Sequence, residues 1–368
     1  MNKMEEDNLI EKTITSQFYS LTDEEKDFVI KITKENKQIE TNNPNILNEC
    51  AFYFYQNNEY TKMKDFYLKS ISLNNSYGMY CLAKYYIFDK KHENYSVDLF
   101  RRAADLCNIK SIRELIIFYK HRKNEEEMVK YLKLAIKNGD VISMNSLGYY
   151  YYLQKNYSEM ITYYKMAIEN NYIKSINNLA YYYKYNELNF VEMVRYFQLG
   201  MERGSIDSML GLGHYYQEEK NIQEMKRCYL AAADLGSAEA ALKIAKYFRE
   251  VEKDIPQMLK YCKIAIDQGN SLAMLYLGNY YHFVEKNFEE MKKFTILAAE
   301  KGEKEAIYNL KFYYTLIEKN EEDAMKYGKM VLPFIDDDDE NYFLNQYRER
   351  IERNDGWLGW MKKFIPSK

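Results

Sequence analysis

A set of residue columns recurs through most of this chain at one period, and that recurrence restricts the fold more than any other feature. Taking Met63, Val97, Met128, Met160, Met193, Met225, Met258, Met291 and Ala324 as anchors gives successive spacings of 34, 31, 32, 33, 32, 33, 33 and 33. Three residues after the anchors stand Phe66, Phe100, Tyr131, Tyr163, Tyr196, Cys228, Tyr261, Phe294 and Tyr327, and seven after them stand mostly small residues such as Ala104, Ala135, Ala167 and Gly200. Spacings of three, four and seven fall on one face of a helix. Eleven after the first eight anchors only Asn or Gly occurs: Asn74, Asn108, Gly139, Asn171, Gly204, Gly236, Gly269 and Gly302. These residue types enter the left-handed conformation at low cost, so the column predicts a helix stop rather than a phosphate-binding loop.

A second helix follows each stop. Its leucine column is Leu82, Leu115, Leu147, Leu179, Leu212, Ile244, Leu277 and Leu310, and the next residue is small at Ala83, Gly148, Ala180, Gly213, Ala245 and Gly278. An aromatic pair comes next, from Tyr85–Tyr86 to Tyr313–Tyr314, with a weaker early copy at Ala51 and Phe54–Tyr55. Glycine inside a helix costs about 1 kcal/mol. Its recurrence here predicts close approach between helices. Each unit is then a helix A, a short polar turn such as Glu218–Glu219–Lys220–Asn221, and a helix B. About nine such hairpins, from about residue 46 to 332, predict an all-α, right-handed α-solenoid of period about 33.

The stretches Leu297–Gly302 and Ala231–Ala240, and the pattern small–x3–Leu–Gly–x2–Tyr running from Ser143 to Tyr151, resemble Sel1-like repeats, relatives of tetratricopeptide repeats. The resemblance covers roughly residues 46 to 332 and rests on columns that recur together. Two departures stand out. The turn between the helices lacks the family's Gly-x-Gly, and the anchor is mostly Met where the family has Ala. The Met and Tyr richness resembles repeat proteins of large DNA viruses that infect amoebae.

The resemblance implies that helix A lines a concave wall and that the chain is a non-catalytic scaffold or adaptor for a protein or peptide. Groove-facing positions lie two before, two after and five after the leucine column. They supply the candidate site residues Lys84, Arg113, Lys120, Asn145, Tyr149, Tyr152, Asn177, Tyr181, Lys184, His214, Lys246, Arg249, Asn279 and His282. Lys and Arg outnumber acids among these positions, although the chain has 52 Lys+Arg against 55 Asp+Glu. An acidic or carboxylate-bearing segment is therefore the expected partner, held by charge-assisted hydrogen bonds and aromatic contact.

Other chemistries find little support. A net charge of −3 argues against a nucleic-acid binder that relies on bulk positive charge, so a helical-repeat RNA binder is the alternative reading, beside a structural virion or assembly component. No GxxxxGKS/T, GxGxxG, GxSxG or HExxH occurs, and His92, His121, His214 and His282 lie on different repeats. No enzyme activity, cofactor or metal is expected. The five cysteines form no CxxC pair and suit reduced, buried thiols. With no apolar N-terminal run and no membrane-spanning stretch, the expected location is cytoplasmic, in the host cell if the chain is viral.

The ends leave the repeat. Residues 1–45 read as a helical cap, with Thr22 and Glu25 as a capping box before Phe28, Val29 and Ile30. Residues 46–335 form the repeat region and 336–368 a capping helix and tail. The run Asp336–Asp339 suits the start of a helix reaching Glu352, where acids oppose the positive dipole end, and it lacks the spacing of a calcium loop. Both tryptophans lie in Gly356–Ile365, which either seals the last hairpin or serves as an exposed partner-docking or membrane-surface peptide, the first being preferred.

Overall fold

The computed structural model describes residues 41–89, 91–331 and 337–352, together with Thr22, Glu24, Glu25 and Val29. The rest of the N-terminal cap, Asp336 and the tail with Trp357 and Trp360 lie outside the described residues. Among the described residues, all regular structure is helical, and nine A/B hairpins follow one another as an α-solenoid. They pair α1 (Pro44–Gln56) with α2 (Tyr60–Ser72), α3 (Ser76–Tyr86) with α4 (Glu93–Asp105), and α5 (Ile109–His121) with α6 (Glu125–Lys137). Next come α7 (Val141–Leu153) with α8 (Tyr157–Glu169), α9 (Ile173–Tyr185) followed by α10 (Phe190–Glu202), and α11 (Ile206–Glu218) with α12 (Ile222–Asp234). The last three are α13 (Ala238–Tyr247) with α14 (Ile255–Asp267), α15 (Ser271–Tyr280) with α16 (Phe288–Glu300), and α17 (Lys304–Tyr313) with α18 (Glu321–Val331); α19 (Asp337–Glu352) closes the order. Two compact units divide within α9, one ending at Leu179 and the other beginning at Ala180.

The period varies at one place only. Every step from the start of a B helix to the next A helix is 16 residues, as from Tyr60 to Ser76 and from Phe288 to Lys304. Steps from A to B are 16 or 17 residues, as from Ile206 to Ile222 and from Ala238 to Ile255. In the last three hairpins the extra residue is absorbed by wider π-type turns, Phe248–Glu252, Tyr281–Glu285 and Tyr314–Glu318. A glutamate placed there accepts a tyrosine hydroxyl: Tyr247 to Glu252 at 2.9 Å, and likewise Tyr280 to Glu285.

Both turns end helices by the same device, a left-handed residue followed by a capping side chain. Between B and A, Gly236 has φ +88°, and the Ser237 hydroxyl accepts from the Ala240 N–H at 3.3 Å. Between A and B the pair is commonly Lys–Asn: Lys220 has φ +56°, and Asn221 accepts from the Glu224 N–H at 3.3 Å. At the N-terminal edge, Thr22 and Glu25 exchange backbone-to-side-chain bonds of 2.8 and 3.3 Å as a capping box.

Two repeat registers differ from the sequence-based expectation. In the second hairpin the anchor is Ser96 rather than Val97, because Ser96 is the fourth residue of α4 as Met128 is of α6. Ser96 is fully buried, and its hydroxyl donates to the Ala83 carbonyl at 2.7 Å. A satisfied buried hydroxyl fills the site without apolar character, so hydrophobicity pointed one residue on. The left-handed residue there is accordingly Cys107, with φ +61°, and Asn108 instead caps α5 by accepting from the Ser111 N–H at 2.9 Å. In the first hairpin Cys50 holds the leucine column, not Ala51, and the aromatic pair is Tyr53–Phe54.

The columns meet across the hairpins, in all but the second and sixth through an aromatic pair, since Leu99 and Cys228 take the aromatic's place there. The second aromatic of helix A stacks on the aromatic three after the anchor of helix B. Tyr119 and Tyr131 lie 5.6 Å apart at 6°, Tyr151 and Tyr163 5.6 Å at 11°, and Tyr314 and Tyr327 5.7 Å at 1°. Each such pair contributes roughly 0.5–1.5 kcal/mol beyond its burial. The small column sits where helix A meets the residue four after the anchor. A Cβ on Gly213 would lie 2.5 Å from Tyr229 Cε1, and one on Gly148 2.7 Å from Tyr164. Gly213→Leu should therefore cost about 1–3 kcal/mol through overpacking. Gly328 in α18, where a Cβ would meet nothing within 4 Å, is the control: Gly328→Ala should gain up to about 1 kcal/mol of helix propensity. A urea midpoint that rises for Gly213→Leu would place Gly213 away from the helix contact.

Candidate interaction face

Twelve of the fourteen candidate residues sit on the A helices, Arg249 and His282 lie in the π-type turns that follow them, and the structure gives them very different surroundings. Lys84 is buried, its Nζ 3.1 Å from Glu114 Oε1 on the next A helix. Arg113 reaches forward to Asp140, the residue before the next A helix, with Nε 3.3 Å from Oδ2. Burial alone would raise the Asp140 carboxyl, but hydrogen bonds from Arg113 and Ser143 outweigh it and hold the group below its ordinary value. His214 Nε2 lies 3.3 Å from Glu239 Oε1. Burial and the nearby Lys243 charge lower its pKa nonetheless. Asn279 donates to Glu305 at 3.2 Å and accepts from Asn309 at 3.0 Å.

Most of the remaining positions are more open. Tyr149 is 51% exposed and stacks with half-buried Tyr152 at 6.3 Å; Tyr181 is 38% exposed and stacks with Tyr185 at 6.1 Å. Asn145 accepts from Ser175 and Asn178, both at 2.9 Å, and Asn177 is buried. Lys120 and Lys246 are exposed, and Lys184 is half-buried with its ammonium 5.3 Å from the Tyr185 ring. Arg249 lies over Tyr276 and Tyr280 at 5.4 and 5.5 Å. His282 is buried.

Acids missed by reading three positions per helix thus come from the start of the following hairpin: Glu114, Asp140, Glu239 and Glu305. They lie 25 to 30 residues away in sequence from the groups they meet, too far for any local pattern; a count over every A-helix position would have included Glu114, Glu239 and Glu305, but not Asp140, which is buried just before its helix.

Two features of this face stand out. A cleft of about 600 Å³ opens between the second and third hairpins, with Ile87, Phe88, Ile117 and Phe118 in its walls. Phe88 and Ile117 are 37% and 50% exposed. Lys84 with Glu114, and Arg122 with Glu93, set paired charges at its margin. Further along, in the eighth and ninth hairpins, α19 lies across the A-helix positions. Its Tyr347 is fully buried against His282, Phe283 and Phe312, at ring distances of 5.5, 5.7 and 5.6 Å. Phe343 stacks on Tyr308 at 4.9 Å.

Burial pushes the thiols of Cys50, Cys81 and Cys262 up to about 12, so they are neutral at physiological pH. Cys107, expected to be buried, is exposed on its turn. Among the described residues no group of three His, Cys, Asp or Glu side chains could hold a metal ion, and no helix is long and apolar enough to cross a membrane.

Among solved structures, the chain is similar to c5321, a protective antigen of uropathogenic Escherichia coli strains that displays an SLR fold. Identity is 19%, over 83% of this chain and 71% of that one, with a TM-score of 0.50. A Sel1 repeat protein from Oxalobacter formigenes matches at 19% identity over 62% of this chain and all 100% of its own, with a TM-score of 0.46. The human IFIT1 dimer with PPP-AAAA matches at 17% identity over 84% and 77%, with a TM-score of 0.35. No protein-family model matches the chain, and no curated protein matches it. The first of these likenesses is one of fold, and the fold it indicates is the Sel1-like helical repeat.

Proposed function

We propose that this chain is a non-catalytic interaction scaffold whose A-helix face holds a segment of a partner protein, between helical caps at residues 1–45 and 336–368. The observation that carries this reading is the cleft between the second and third hairpins. A chain in water gains nothing by holding Phe88 and Ile117 partly exposed beside the apolar walls of Ile87 and Phe118, whereas a partner that covers them removes that surface from solvent. The Sel1-like fold supports the reading, since stacked helical repeats present extended surfaces of this kind. A partner with carboxylates remains favoured by Lys120, Lys184, Lys246 and Arg249. Lys84 contributes less, because Glu114 already matches it and little of it is exposed, whereas Asp140 engages only one edge of the Arg113 guanidinium.

Rim charges act mainly on association rate and salt dependence. Replacing Lys120, Lys184 and Lys246 together by Glu should therefore weaken capture of the native partner several-fold and flatten its salt dependence, with no change in melting temperature. The test is affinity capture from the native cell with the wild-type chain and the triple variant side by side. If both retain the same proteins at every salt concentration, these cations do not hold the partner; if an Ile117→Glu chain retains them as well, the A-helix face is not the binding surface.

A further inference from the structure

The socket that holds Tyr347 recurs elsewhere in the repeat. His282 and Phe283 stand five and six residues after Leu277, and Phe312 stands two after Leu310. The same positions in the second and third hairpins are Ile87 and Phe88, after Leu82, and Ile117, after Leu115. Those three side chains line the 600 Å³ cleft. One socket is therefore covered by a helix of the chain itself, with an aromatic ring buried in it. Its counterpart is walled by apolar residues at equivalent positions and is open to solvent. Within the unit ending at Leu179 no other neighbouring pair of hairpins carries apolar residues at all three positions: the first and second place Gln56 and Lys84 there, the third and fourth Lys120 and His121.

We propose that the cleft receives an aromatic side chain from an amphipathic helix of a partner protein, seated on the second and third hairpins as α19 is seated on the eighth and ninth. This rests on the A-helix face being an interaction surface and specifies what that surface takes. The chemistry of the helix follows from the comparison. Tyr347 fills the socket, and Phe343, one turn earlier, lies on Tyr308, two before its leucine. At the Tyr308 position the second seat carries Arg113, whose guanidinium side chain is 44% exposed while its partner Asp140 is buried. The partner helix therefore presents an aromatic residue for the socket and a carboxylate four residues before it, within reach of the guanidinium donors that Asp140 leaves to solvent. The mode is an amphipathic helix laid in a groove, anchored by side chains one turn apart.

A synthetic peptide of residues 337–352 carrying Phe343→Glu has this pattern, and it can be titrated into the full-length chain by fluorescence anisotropy. Saturable binding at one site is expected. Replacing Tyr347 by Ala in the peptide, or Ile117 by Glu in the chain, should each weaken it about tenfold or more, as loss of a buried anchor does. Ile117 is half exposed, so its replacement leaves the fold intact, which the melting temperature of the variant checks. Binding that is equally strong to the Ile117→Glu chain would show the peptide elsewhere, for instance on the seat of α19, and overturn the proposal. Failure to saturate would overturn it too. If that failure came with the salt-sensitive capture described above intact, the helix would be rejected and the interaction face would stand.

Discussion

Between pH 6.5 and pH 4.5 the chain should lose about 2–3 kcal/mol of stability that a His282→Phe variant keeps. The imidazole is buried against Phe283 at 4.3 Å and ringed by Phe288, Tyr313 and Tyr347 at 5.5–5.8 Å. Its Nε2 lies 3.5 Å from the Tyr347 hydroxyl, and burial drives its pKa from 6.5 down to about 3. The nearest titrating surroundings are phenols, which stay neutral throughout this range: Tyr347 is pushed well up by burial, and Tyr313 is raised by burial and by Glu318. The sign follows from proton counting. The folded chain keeps the ring neutral, while the unfolded chain binds a proton below pH 6.5. Stability therefore falls as pH drops from 6.5 towards about 3, by about 1.4 kcal/mol per unit. Other groups add their own pH dependence, so the comparison is wild type against the single variant in urea melts at both pH values. Parallel losses in the two chains would mean that the ring is hydrated and that α19 does not seal it.

That same histidine shows where the sequence stops being informative. Counting from Leu277 places His282 on the A-helix face, but nothing in its neighbourhood signals that Tyr347, 65 residues on, will cover it. The apolar residues of α19 have no counterpart in the repeat against which to be read. The hairpins themselves were legible because their columns are packing positions. Gly213 must admit Tyr229, Tyr119 must meet Tyr131, and Gly236 must turn left, and each demand recurs at one period. Legibility failed where a position kept its packing and changed its chemistry. Ser96 does the work of Met63 and Met128 with a hydroxyl bonded to a carbonyl, and so displaced the reading of its hairpin by one residue. The Lys–Asn turns are a local signal that could have been used. Lys155–Asn156, Lys220–Asn221 and Lys286–Asn287 each supply the left-handed residue and the cap, and they mark the A–B boundary as clearly as the Asn/Gly column marks the other. On the face, the cations were visible and the acids that meet them were not, because solenoid neighbours are about a repeat apart in the chain.

Glu114→Ala should lower stability by about 3 kcal/mol, far more than the removal of an ordinary surface acid. Lys84 has only 7% of its side chain exposed and Glu114 20%, so the ammonium depends on the carboxylate 3.1 Å away rather than on water. Taking away one partner strands a buried charge, and the deficit is the desolvation that Coulomb attraction had offset. The double replacement Lys84→Met with Glu114→Leu removes both charges and keeps the volume, so it should return to within about 1 kcal/mol of the wild type. Urea unfolding of the two single variants and the double completes the cycle. Additive losses would show that the pair is solvated and does not bind the second hairpin to the third. The same variants bear on the cleft, since both residues lie at its margin. An apolar pair there should leave the walls of Ile87, Phe88 and Ile117 in place, and the α19-derived peptide should still saturate the double variant. Loss of the peptide in that stable, uncharged background would mean that the Lys84–Glu114 pair, rather than the apolar socket, is what the helix reads.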